Sequence, residues 1–349
     1  MNVNIGFGNS NIGQKLLNNN MHTGILRPFI NDDGTAYYTN AKGVVQPIAN
    51  ASLRKEEWLA FDEAILKVAQ ERLVGYDSLV SRGLTYDLNS GMAKNILQSE
   101  DVSDFTPAEI SMNGLKRSNA DQPDYGSVNL PLPIIHKDFG IDARSLANSR
   151  TLGDPLDVTS AELASRTISE MKENLLFGSE TFTFAGATIH TFRTYPHRNI
   201  LSAAFGWLHA SATGETIFEN VRRLKQSLID NQQYGPYVLY IPGAYDTVLD
   251  KDYVVGTKAT GKTIRQRLME IGGLEDIKVV DMLTSEELIM VNMRSDTIRL
   301  VRAMPNTMVE WQEEGGMALK FKVLSIEVPQ IRSTYKKQCG VSHMTFLAT

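Results

Sequence analysis

The residues whose types and spacing come closest to a chemical motif are Gly256-Thr257-Lys258-Ala259-Thr260-Gly261-Lys262-Thr263. Two glycines separated by four residues, then Lys and Thr, match the phosphate-loop pattern, in which backbone amides and a lysine cradle phosphates. A helix is expected from about Thr263 to Ile271, and its N-terminus would aim further amides at an anion. Val279-Val280-Asp281, downstream, could pass for a magnesium-holding strand end. The surroundings argue the other way. A phosphate loop leaves a buried strand directly, whereas here Asp250, Lys251 and Asp252 precede only Tyr253-Val254-Val255. Beyond Thr263 the chain reads as antiparallel strands, not as the alternating strands and helices of a nucleotide-binding sheet. Gly256–Thr263 is therefore read as a flexible Gly/Lys/Thr surface loop, with a nucleotide-binding enzyme as the alternative from another class.

The other reactive residue types form no constellation. His22, His136, His190, His197, His209 and His343 have no metal-ligand spacing. Cys339 is the single cysteine; it excludes an internal disulfide, suits a reducing cytoplasm, and is expected to be a small half-buried thiol. Gly6-Phe7-Gly8 lacks the third glycine of a dinucleotide fingerprint, and no G-x-S-x-G elbow is present. No catalytic, cofactor-binding or metal-binding residue is predicted, and no cofactor. Lys116-Arg117 and His197-Arg198 are isolated basic pairs, and a net charge of −5 is the wrong sign for a broad nucleic-acid face. Contact with DNA would be weak and non-specific. No run of eighteen apolar residues is present to span a membrane.

With chemistry set aside, the elements themselves carry the information. A chain of 349 residues, 42% hydrophobic and 21% charged, can bury the cores of two ordinary domains. Residues 1–54 read as an extended arm rich in Asn, Gly and Thr, with scattered apolar anchors such as Ile5, Leu16, Leu26 and Phe29. Residues 55–73 predict a helix through Trp58, Phe61, Ile65 and Val68. Residues 74–150 predict a long, partly β excursion punctuated by Gly and Pro. The strongest helix is 159–177: Thr159 and Glu162 fit a capping box, Ala161, Ala164, Ile168, Met171 and Leu175 make the apolar stripe, and Gly178 stops it. A strand pair, Thr181–Phe184 and Thr188–Phe192, follows.

A third helix is predicted over 215–230, then a buried strand at Tyr237–Ile241. The remainder reads as strands: Ile277–Val280, Leu288–Met293, Ile298–Val301, Met308–Trp311 and a last one at Met317–Ile326. Arg294-Ser295-Asp296 is read as the turn of a hairpin. Alternation of Leu319, Phe321 and Val323 with Lys320 and Lys322 gives the last strand one buried face.

The order of these elements, with Leu130-Pro131-Leu132-Pro133-Ile134-Ile135-His136-Lys137-Asp138-Phe139, Ala143-Arg144-Ser145, Glu170 to Gly178 and Gly235-Pro236-Tyr237, resembles the major capsid proteins of tailed phages and the encapsulin shells that share their fold. The resemblance covers the architecture of about 55–345 and only short pieces of sequence. It implies an α+β fold of the Hong Kong phage capsid type. On that pattern 1–54 is the N-terminal arm and 74–150 the extended loop. Residues 151–203 and 306–349 form the peripheral domain with its spine helix, and 204–305 the axial domain. It also implies a non-enzymatic subunit that assembles with itself into pentamers and hexamers around double-stranded DNA in a virion put together in the host cytoplasm. Scaffold, portal and decoration proteins are further partners implied by the resemblance. An encapsulin shell is the alternative within the class; the long arm and excursion favour the virus. Some relatives carry a Lys–Asn crosslink between subunits, whose residues cannot be placed here, and no crosslink is predicted.

Overall fold

The computed structural model describes residues 29–30, 36–39, 45–47, 57, 60–61, 63–64, 73–88, 91–112, 121–142, 144–146, 158–255, 258–313 and 318–347. The chain divides into two compact units. The first comprises Met1–Asn95, Leu132–Leu176 and Leu300–Pro329; the second comprises Ile96–Pro131, Phe177–Arg299 and Gln330–Thr349.

In the first unit, β1 (Phe29–Ile30), β2 (Ala36–Thr39) and β3 (Val45–Pro47) form a small antiparallel meander within the segment expected to be an arm. Helical residues at 57, 60–61 and 63–64 fall inside the helix predicted over 55–73; Trp58, Ile65 and Val68 lie outside the described residues. Helix α1 (Val74–Ser81) follows, and then β4 (Thr85–Asp87). Neither was legible under the reading of 74–150 as an excursion.

The excursion itself belongs to the second unit as a ribbon of β5 (Ile96–Val102) and β6 (Tyr125–Pro131). Its register runs from Ile96↔Pro131 to Val102↔Tyr125. The chain returns to the first unit with β7 (Ile135–Asp142) and helix α2 (Thr159–Phe177). α2 starts one residue earlier than a Thr159 cap requires: the Val158 carbonyl accepts from the amides of Ala161 and Glu162 at 3.0 Å, which makes Thr159 the first helical residue.

α2 packs on a four-stranded sheet of order β4, β16 (Ile298–Glu313), β17 (Ala318–Ile331), β7. Ala161, Ala164 and Ile168 from the helix meet Met308, Leu319, Phe321 and Val323 from the sheet. Phe61, Phe139 and Phe321 close this core, with Phe139 stacked on Phe321 at 5.1 Å between ring centroids. Burial of each such ring contributes roughly 1.5–3 kcal/mol.

The apolar stripe on α2 differs from the sequence reading in phase. Ile168 is buried as expected, but Met171 is 49% exposed, and the position beside it that faces inward is Lys172, 1% exposed. Spacings of four carry the buried face through Ala164, Ile168, Lys172 and Leu176. Hydrophobicity counting prefers Met171 because it assigns no burial to a lysine.

Two further strand assignments are corrected. Ile298–Val301 and Met308–Trp311 belong to one continuous strand, β16, which tolerates Pro305 within it. Arg294-Ser295-Asp296 is a turn, with the Thr297 amide donating to the Arg294 carbonyl at 3.0 Å, but it does not join a hairpin. The strand before it, β15 (Glu287–Asn292), pairs in the other sheet with β11 (Tyr237–Ile241) and β18 (Val341–Phe346).

The second unit is built on that five-stranded sheet, of order β10 (Asn199–Ala203), β18 (Val341–Phe346), β15, β11 (Tyr237–Ile241), β14 (Leu274–Val279). β18 is a terminal strand beyond the one predicted to be last. All five residues of β11 are buried. Helix α3 (Gly214–Asp230) lies on the sheet through Ile217, Val221, Leu224 and Leu228, the stripe its period predicts, with a Thr213/Thr216 capping box at its start. The short helices α4 (Asp246–Leu249) and α5 (Ile264–Met269) complete this core. The strand pair after α2 is shorter than predicted: β8 (Phe182–Phe184) and β9 (Ala187–Ile189) turn at Ala185 and Gly186, both with positive φ.

Candidate assembly surface and buried polar clusters

The ribbon β5–β6 carries a loop over 103–124 whose described part is open. Phe105 is 63% exposed, and Ile110 and Met112 are fully exposed. Val102, Tyr125 and Val128 on the ribbon are also exposed. The ladder continues past the strands, with the Ser103 amide donating to Asp124 at 3.0 Å. Asp104 pairs with Lys336, and Asp121 accepts from the amide and hydroxyl of Thr106. Those hydrogen bonds hold the Asp121 carboxyl below its usual range. The ribbon is thus shaped by its own backbone and polar bonds while its large apolar side chains face outward. An extended element of this composition gains stability from a surface that covers it.

The phosphate-loop look-alike has another shape. Lys258–Thr263 forms strand β13, antiparallel to β12 (Asp252–Val255), so the segment expected to be a flexible loop is mostly strand. Gly256 and Thr257 lie outside the described residues. Lys262 is ion-paired with Glu270. Thr263 caps α5, its hydroxyl accepting from the Gln266 amide at 3.3 Å. The lysine and the threonine hydroxyl that a phosphate would need are committed to neighbours. Lys262→Ala should shift stability by no more than about 0.5 kcal/mol, as an exposed side chain does, and leave no nucleotide affinity to lose. Isothermal titration of wild type and variant with Mg-ATP checks this; saturable binding that disappears in the variant contradicts it.

A second cluster lines an open pocket of about 300 Å³ in the second unit, among Ser179, Arg193, Thr284, Glu287 and His343. Both oxygens of Glu287 are engaged. Its Oε1 accepts from the Thr284 amide (3.1 Å) and hydroxyl (2.9 Å) and meets Arg193 Nη2 at 2.9 Å, and its Oε2 lies 3.1 Å from His343 Nε2. Arg198 donates to His343 Nδ1, which places a proton on Nε2, facing Glu287. Burial pushes the Glu287 carboxyl up, but His343, Thr284 and Arg193 outweigh it and the net shift is downward. With both Glu287 oxygens engaged, the cluster reads as a structural brace of β15 to β18.

The third cluster lies in the first unit, between α2 and its sheet. Lys172 Nζ donates to Glu327 Oε2 at 2.8 Å and to Asn306 Oδ1 at 2.6 Å. Arg302 Nε meets Glu327 Oε1 at 3.0 Å. Burial pulls the Lys172 pKa down against the pull of Glu327. Glu173 Oε1 accepts from the amides of Gly75 (2.8 Å) and Tyr76 (3.2 Å), at the start of α1. Lys172 and Glu173 entered the sequence reading only as part of the Glu170–Gly178 stretch, with no buried role assigned; charge at buried positions of a helix gives no periodic signal.

Of the histidines, His343 is buried on Glu287, and His190 and His197 pack edge-on against Tyr195. Cys339 is fully buried, not half-buried as expected, and burial pushes its thiol up to about 12. Among the described residues no three His, Cys, Asp or Glu side chains gather where a metal ion could sit. No helix among them is long and apolar enough to cross a membrane.

An extended two-stranded ribbon, a long helix laid on a sheet of long strands, and an α/β lobe together make the fold of tailed-phage capsid proteins and encapsulin shells. The fold is shared with a virus-like particle from Pyrococcus furiosus (TM-score 0.60, 15% identity, 83% of this chain and 99% of the other). It is also shared with the capsid of Myoviridae phage XM1 (TM-score 0.57, 11% identity, 77% and 91%). In sequence, the type 1 encapsulin shell protein EncA of Myxococcus xanthus (strain DK1622) is 25% identical over 220 residues, 62% of this chain and 71% of the relative. The chain belongs to the family described as "Family of unknown function (DUF6260)", whose profile matches residues 48–344.

Proposed function

We propose that this chain is the structural subunit of a closed icosahedral container, built from many copies and carrying out no catalysis of its own. The observation that carries the reading is the ribbon β5–β6 with its bare loop: Phe105, Ile110 and Met112 stand in solvent on a lone subunit, and a neighbouring copy repeats the surface that would cover them. On this reading the first unit supplies the peripheral domain with α2 as spine, and the α/β lobe of the second unit supplies the axial domain. Ribbon and N-terminal arm then act as the connectors. Purified chain should sediment as pentamers, hexamers or closed shells. A strictly monodisperse monomer at every salt concentration and pH overturns the proposal.

Two contents fit such a container. The viral reading, a capsid around double-stranded DNA with scaffold, portal and decoration partners, rests on the long arm and ribbon. The encapsulin reading rests on the sequence relative from Myxococcus xanthus. Shells purified from producing cells separate them: nuclease-protected genomic DNA supports the virus, and a co-purifying enzyme without DNA supports the compartment.

A further inference from the structure

The joint between α1 and α2 contains a carboxylate that the fold does not neutralise. Glu173 is 5% exposed and spends one oxygen on the Gly75 and Tyr76 amides, while its Oε2 is buried with no hydrogen-bond partner. Tyr76 from α1 lies close enough for its phenol to feel the Glu173 charge. The charged groups packed between α2 and its sheet are Lys172, Arg302 from β16 and Glu327 from β17. Lys172 and Arg302 both bind Glu327, so neither is spent on Glu173. Tyr76 donates its hydroxyl to the Glu327 carbonyl at 3.3 Å, and burial with the charges of Glu327 and Glu173 holds that phenol in its neutral form. Burial with one oxygen unpartnered disfavours the ionised carboxylate, against the two amides that favour it.

We propose that the Glu173 joint is a pH-sensitive latch, tightened by acid and loosened by base, that sets how firmly α1 is held to α2. Burial drives the Glu173 carboxyl up from its ordinary value to about 7, against the opposing pull of the Tyr76 and Gly75 amides. A carboxyl whose pKa is higher in the closed joint than in solvent stabilises the closed form fully below the solvent value. That contribution fades as pH rises through the closed-state value. The window is therefore between about 4.5 and about 7. Within it, opening of α1 should rise close to tenfold per pH unit, then level off.

Hydrogen exchange on the full-length chain, at a fixed assembly state and corrected for intrinsic exchange, tests the latch. Protection of the α1 amides should fall across pH 5 to 7, while α3, whose cap is the non-titrating Thr213 hydroxyl, serves as internal reference. Glu173→Gln should remove the slope at α1 and leave α3 unchanged. A flat α1 profile in wild type, a slope shared equally by α3, or an unchanged slope in the Gln variant each overturns the proposal. Should Glu173→Gln not fold, the wild-type difference between α1 and α3 decides alone.

Discussion

Lys172→Met should cost the subunit about 3–5 kcal/mol, the range found when one partner of a buried ion pair is removed. Methionine keeps most of the apolar stem, so the loss isolates the ammonium. Without it, Glu327 retains only Arg302, and Asn306 Oδ1 loses its 2.6 Å donor. A total stability of roughly 5–15 kcal/mol leaves little margin for that. The double variant Lys172→Met/Glu327→Gln should recover much of the loss, because the penalty comes from a charge left without its partner more than from missing attraction. Urea denaturation of unassembled chain, with both variants and wild type side by side, measures it. A single variant within 1 kcal/mol of wild type, or a double variant worse than the single, would show that water or rearrangement already compensates Glu327.

The same position explains what the sequence could and could not disclose. Period 3.6 located α2 and α3 within a residue or two, and in α3 it named all four buried side chains, because there every inward position is aliphatic. In α2 the inward face carries Ser165, Ser169, Lys172 and Glu173. A pattern reading has no way to prefer Lys172 over Met171 without knowing that Glu327, 155 residues downstream, will meet it. β11 was legible because five consecutive apolar residues between turn signals admit few alternatives, whereas β10, β12, β13 and β18 carry polar and glycine positions that blur the period.

The supposed hairpin at Arg294-Ser295-Asp296 failed for a topological reason: turn chemistry is local, but which sheet receives the next strand is not. The ribbon was visible only as a stretch lacking helical period. Its meaning comes from the exposed Ile110 and Met112, apolar residues that local composition alone would assign to a core.

Fold and assembly should therefore separate under two substitutions of opposite character. Ile168 is 1% exposed in the core formed by Phe61, Ala164, Phe321 and Val323. Ile168→Asp places a carboxylate there with no cation provided for it. The expected cost is several kcal/mol, whether taken as an unpaired charge or as a protonated acid in a cavity of the wrong shape. The subunit should lose its cooperative thermal transition. Replacing residues 104–123 with an Asn-Gly turn acts elsewhere. Ser103 and Asp124 already face each other across the ladder, so a two-residue turn can close the ribbon there with the Ile96–Val102 and Tyr125–Pro131 pairing kept. The truncation removes Phe105, Ile110 and Met112 together with the Asp104–Lys336 pair, a surface ion pair worth at most about 1 kcal/mol. Its melting transition should stay within a few degrees of that of unassembled wild type, while electron microscopy and sedimentation should find few or no closed shells. A truncation that melts as early as Ile168→Asp would place the loop in the subunit's own core. Shells as numerous and as stable as wild type would remove the loop from the assembly surface.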